Sequence, residues 1–177
     1  MLLRLTAKRS RRMVQTLQVV TIVVVSVAMA LTLAHALELP GKLRLSKEHY
    51  LAIQPIYYPG FTYGGIAEPI GLLLLLVLLI VMPGGIQFWL TAAAFLVFLS
   101  MHATYWLITH PVNNFWLKDF QPESLAGGFF SVDPLHSIDR LRAADWTVLR
   151  DRWEYSHVIR AALALVSLLL LAAAVAV

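Results

Sequence analysis

Two stretches of this chain carry residue types that can do chemistry at helical spacing. His35 and Glu38 are three positions apart, and so are Glu154 and His157. Residues three apart on a helix share a face, so each pair can address one ligand. Arg160 follows His157 at the same interval, and Glu68 and His102 stand in other apolar stretches. Histidine with glutamate suits non-haem iron or zinc. Glu-x-x-His from each of two helices, with single glutamates from the others, is the carboxylate arrangement of di-iron bundles. Here one of the two pairs runs His-x-x-Glu. The candidate metal set is His35, Glu38, Glu68, His102, Glu154 and His157. A haem held by His35 and His157, or by His102 and His157, ranks behind it. The competing reading is an internal polar network, with Glu154 paired to Arg152 or Arg160 and His35 on a backbone carbonyl.

These residues need elements to hold them, and the composition says what kind. The chain is 59% hydrophobic and 14% charged, with a mean hydropathy of +0.73. A soluble domain has roughly 45–50% apolar and about 25% charged residues. The expected fold is therefore all-α: a four-helix transmembrane bundle forming one integral membrane domain over 1–177. A bilayer core takes roughly 20 apolar residues per helix, and four runs qualify, at about 14–37, 66–82, 88–108 and 158–177. Pro83-Gly84-Gly85 joins the second and third as a tight hairpin, and 41–64 and 111–152 are long loops. Five basic residues and no acid precede the first run. Such a bias marks the cytoplasmic side, so both termini are expected in the cytoplasm of a plasma (inner) membrane protein, with both long loops outside. Ala34-His35-Ala36 resembles a cleavage site and Ser10-Arg11-Arg12 a twin-arginine signal. The apolar run is longer than a signal segment of roughly 7–15 residues, so an uncleaved span is expected.

Alternating span direction then gathers the polar residues. His35, Glu38, Glu68, His110, Glu154 and His157 all fall in the outer third, with His102 about two turns deeper than His110. Ionisable groups cost roughly 2.5–3.5 kcal/mol each inside a span and are functional candidates by default. His49 and His136 read as solvated loop residues. Tyr57, Tyr58, Tyr63, Trp106, Trp116 and Trp153 read mostly as an interfacial aromatic belt, some of them lining a pocket. No cysteine is present, which excludes disulfides and thiolate metal sites. No phosphate-binding glycine loop or Gly-x-Ser-x-Gly is found, and no nucleic-acid partner is expected.

His35-Ala-Leu-Glu38-Leu-Pro40, Pro111-Val-Asn113-Asn114 and Trp153-Glu154-Tyr-Ser-His157-Val-Ile-Arg160 together resemble the anthrone oxygenase-like family of small four-helix membrane proteins. Most members of that family have no assigned function. The resemblance implies oxidation of a phenolic polycycle by O2, generally without an added cofactor. His157 or His35 would then be the base, tuned by Glu154 or Glu38. Asn113, Asn114 and Arg160 would hold the developing oxyanion. The expected function is a membrane-bound oxidoreductase of the oxygenase kind, acting on an apolar aromatic or quinone-like substrate that arrives from the lipid bilayer. The alternative is a non-catalytic accessory subunit of a larger membrane complex. A small transporter fits less well, because the cytoplasmic half of the bundle has few polar groups.

Overall fold

The computed structural model describes residues 2–116, 141 and 144–177, with side chains from Arg11 onward except that of Asn114. His136 lies outside the described residues. Helix α1 covers Leu2–Lys42, α2 Lys47–Ile53, α3 Gly60–Gly64, α4 Ala67–Val81, α5 Ile86–Thr104, α6 His110–Trp116 and α7 Trp146–Ala176. A 3-10 turn, Gln54–Tyr57, follows α2, and a π-helical turn, Tyr105–Thr109, joins α5 to α6. No strand occurs among the described residues. Four helical stretches are long and apolar enough to cross a membrane: Arg11–Lys42, Gly60–Val81, Ile86–Asn113 and Trp146–Ala176.

The four spans close a ring in which α1 packs on α4, α4 on α5, α5 on α7 and α7 on α1. Lipid tails are as apolar as leucine, so helices in a bilayer associate through close packing and a few polar bonds. The core shows both. Ala28, Ala94 and Ala164 are buried beside Val25, Leu75, Phe98, Met101 and Leu171. Gly71 lies where an added Cβ would come within 2.8 Å of the Phe98 ring. Ser167 on α7 donates to the Ala94 carbonyl of α5 at 2.9 Å. The hairpin between α4 and α5 turns at Gly85, whose φ of 129° is open to glycine alone at low cost.

Helix boundaries depart from hydropathy in four places. The first helix runs through Pro40 to Lys42, one turn beyond the expected end at 37. The expected loop 41–64 is folded: Ser46 caps α2 by accepting the His49 amide, and α3 leads directly into α4. The fourth helix starts at Trp146 rather than near 158, capped by Asp145. Hydrogen bonds from the Thr147 side chain and amide hold the Asp145 carboxyl below its ordinary pKa. These caps satisfy amides that an apolar count does not register.

The third span continues past 108, through Pro111. Proline has no N–H, so the Leu107 carbonyl loses its helical donor. Arg152 of α7 supplies the missing hydrogen bond at 3.1 Å. Just before the proline the helix widens into its π turn, with the His110 amide reaching back to the Tyr105 carbonyl.

Gly71→Ala should destabilise the bundle by about 1–3 kcal/mol, the range for overpacking a filled core. Thermal unfolding in detergent measures this. Adding Phe98→Leu should recover part of the loss, and an additive double mutant would show that the two side chains do not meet.

Candidate functional site

One end of the bundle holds a connected set of buried polar groups. The His35 and His157 rings lie face toward face, with centroids 4.1 Å apart and planes 31° from parallel. Trp153 and Tyr57 close around them. Two turns nearer the end of α1, Lys42 lies between two carboxylates, its Nζ 2.9 Å from Glu38 and 3.4 Å from Glu154. Lys42 is only 2% exposed and Glu154 is fully buried. Removal from water is costly for both, and their pairing offsets it. The Tyr50 hydroxyl donates to Glu154 at 2.9 Å and the Tyr57 hydroxyl to Glu38 at 2.7 Å. Burial, reinforced by these carboxylates, holds both phenols protonated well above their ordinary range.

A second set lies around Glu68. Arg160 of α7 makes a short ion pair with it, and His102 Nδ1 is 3.1 Å away. Arg160 also stacks its guanidinium on the Tyr105 ring at 5.0 Å. The Trp106 indole donates to His102 Nε2 at 3.1 Å. Indole nitrogen is only a donor, so His102 carries its proton on Nδ1 and gives it to Glu68. Asn113 accepts from the Trp153 indole at 2.6 Å.

The same donor logic fixes the histidine pair. Arg160 approaches His157 Nδ1 at 3.3 Å, and Lys42 approaches His35 Nδ1 at 3.4 Å. Arginine and ammonium groups only donate. Both Nδ1 atoms therefore accept, and the neutral rings carry their protons on Nε2. His157 Nε2 and Arg160 Nε have no hydrogen-bond partner among the described residues. Buried donors left open in this way ask for an acceptor.

Between the two sets lies a cavity of about 440 Å³. His35, Glu68, His102, Asn113, His157 and Arg160 contribute to its lining, and Tyr57, Phe61, Tyr105, Trp106 and Trp153 form much of its wall. Pockets of roughly 300–1,000 Å³ hold small organic ligands. Five of the six residues expected in an aromatic belt line this cavity: Tyr57, Tyr58, Tyr63, Trp106 and Trp153. Trp116 is buried against Tyr50 instead. Interfacial depth does not say which way a ring points, and all of these but the exposed Tyr63 turn inward.

The residues singled out by spacing thus come together, with two changes of role. Glu154 pairs with Lys42 and Tyr50 rather than with Arg152 or Arg160. His35 meets Lys42 rather than a backbone carbonyl. Glu38 keeps contact with water or headgroups, its side chain 43% exposed. His110 is buried and meets the Tyr105 hydroxyl at 3.2 Å, while His49 is exposed beside Ser46. The side chain of Asn114 is outside the described residues. The missed residue is Lys42. Its signal was the interval His35, Glu38, Lys42, which reads as one helical face once the helix is carried through Pro40.

The arrangement does not fit the metal set. Among the described residues no three histidine or acidic side chains converge as metal ligands. Lys42 occupies the space between Glu38 and Glu154, and Arg160 takes Glu68. Nor does it fit a haem between His35 and His157. Axial imidazoles point end-on at the iron from opposite sides of the macrocycle, whereas these rings lie against each other.

No family model, curated protein or solved structure matches the chain, so nothing in those comparisons bears on the anthrone oxygenase-like resemblance.

Lys42→Met leaves the Glu154 carboxylate buried without its cation, and such losses cost about 3–5 kcal/mol. The double variant Lys42→Met/Glu154→Gln should regain most of that stability. Unfolding of these two variants, of Glu154→Gln alone and of the parent forms the cycle, and a coupling near zero would show that the pair does not support the fold.

Proposed function

We propose that this membrane protein is an oxidoreductase of the oxygenase kind, whose cavity takes a flat aromatic molecule bearing a carbonyl or phenolic oxygen. The observation that carries this reading is an aromatic-walled cavity with buried, unpartnered donors on His157 and Arg160 beside the carboxylate of Glu68. Aromatic walls suit a planar ring system, and the open donors suit an oxygen that gains negative charge during reaction. In the anthrone case the chemistry balances as anthrone plus O2 giving anthraquinone plus water. A ring CH2 loses two hydrogens and gains one oxygen, and O2 is the oxidant.

The roles follow from the proton positions. With Nε2 protonated, His157 donates to the substrate oxygen, and Arg160 adds positive charge beside it. The base falls to Glu68, the carboxylate on the cavity wall, which takes the C–H proton and generates the electron-rich anion that meets O2. Asn113 and Trp153 position the wall. The resemblance to the anthrone oxygenase-like family points the same way. The N-terminal basic cluster favours a plasma membrane orientation with both termini in the cytoplasm and the cavity toward the outer face.

A second reading has its own support. Glu38, Glu68 and Glu154 all pair with cations of the same chain, as expected of a fastener in an accessory subunit. One variant separates the two. His157→Phe keeps a ring against His35 and removes the donor. Purified protein should bind anthraquinone with quenching of tryptophan fluorescence and consume oxygen with anthrone. His157→Phe should lower that uptake about 100-fold, the usual effect of removing one oxyanion donor, with unchanged helix content. Oxygen uptake no faster than the uncatalysed reaction in the unaltered protein refutes the oxygenase reading. Such absence of uptake, together with poor recovery of folded His157→Phe, favours the fastener.

A further inference from the structure

The cavity is sealed on one side and open on another. At the loop-bearing end, Lys42 lies over the Tyr57 and Trp153 rings, at 4.6 and 4.9 Å from their centroids, and is tied to Glu38 and Glu154. Lys42, Tyr57 and Trp153 are all buried. This roof separates the histidine pair from the aqueous end. Toward the middle of the bundle, Phe98 and Met101 belong to the packed core and do not line the cavity.

Its flank is different. Tyr63 and Ile66 line the cavity and are nonetheless 61% and 54% exposed, and Pro69 is exposed as well. Ile70 and Leu73 continue the exposed strip from Ile66 along α4 at helical spacing. That strip belongs to a span with a mean hydropathy of 2.4, so its exposed face meets hydrocarbon. The seam between α3 and α1 is shut, because a Cβ on Gly64 would approach Leu31 within 2.6 Å.

We propose that the cavity is loaded sideways from the bilayer, through a mouth framed by Tyr63, Ile66 and Pro69, by an uncharged aromatic solute dissolved in the lipid. This rests on the proposed function for the nature of the ligand. The physical case is one of matching phases. An uncharged polycycle concentrates in hydrocarbon, and the mouth opens there. A route past Lys42 would break a buried ion-pair network for every molecule admitted. Because lipid and cavity are both apolar, transfer gains little from the hydrophobic effect. Retention then depends on the donors of His157 and Arg160.

The test measures rates. Vesicle-embedded protein takes up tritiated anthraquinone from its own lipid, followed by rapid filtration. Ile66→Trp places bulk at the mouth, and Ile56→Trp places it at a 77% exposed site on the cap that does not line the cavity. Ile66→Trp should slow association and dissociation together, by about tenfold, leaving Kd unchanged, the signature of a gate. Ile56→Trp should leave both rates unaltered. Unchanged rates in Ile66→Trp, or slowing in Ile56→Trp, overturn the lateral route and leave ligand binding standing. No binding to the unaltered protein removes the proposed function and the route with it.

Discussion

The burial of Lys42 is the constraint on which this end of the molecule depends. An ammonium group held away from water needs compensation on every side. Here it has two carboxylates, two aromatic faces and an imidazole nitrogen, drawn from α1, the cap and α7. Each partner is committed in turn. Glu154 needs the Tyr50 hydroxyl, Tyr57 spends its proton on Glu38, and His35 presents Nδ1 to the lysine. The proton position on His35 therefore follows from a cation that does not line the cavity. The Glu68–Arg160 pair does the same for the opposite wall, through His102 and Trp106. The polar groups are thus neither a metal cage nor an arbitrary network. They set the polarity of the imidazole edges.

This arrangement exchanges stability for definition. A buried ion pair gives little net stability compared with packed hydrocarbon of the same volume. In a bilayer the small-residue core of Ala28, Gly71, Ala94 and Ala164 supplies close packing instead. The division is spatial. The apolar half of the bundle is held by contact, and the polar half by bonds with direction. The cavity lies in the second half, among these directional bonds.

Much of this was legible in the sequence for a simple reason. Hydropathy reports the four spans, and alternating direction places His35, Glu68, Glu154 and His157 at one end without any knowledge of packing. The i,i+3 intervals fix which pairs share a face. What was lost lay at boundaries. Hydropathy ends the first span at 37, which leaves Lys42 in the expected loop 41–64. Proline removes one hydrogen bond yet need not end a helix whose next turn is held by side chains. The cap was also readable in part, since Ser46 precedes a short run with a glutamate in its first turn. The direction of the aromatic rings was not readable. Tyrosine and tryptophan are favoured at that depth whether they face lipid or cavity, so composition gives no sign.

The π-helical turn at Tyr105–Thr109 has a consequence for how this chain tolerates change. Such a turn holds one residue more than an α-helical turn, and one residue is worth about 100° of helical phase. Upstream of it, His102 is keyed to Glu68. Its last residue, Thr109, is keyed to Ser156, and downstream of it Asn113 is keyed to Trp153. Deleting a single residue within the turn would leave the first pairing in place and rotate the others off their partners. Length in this segment is therefore constrained more tightly than identity. Among related chains, gaps here would separate groups with different cavities more sharply than any substitution in the lining.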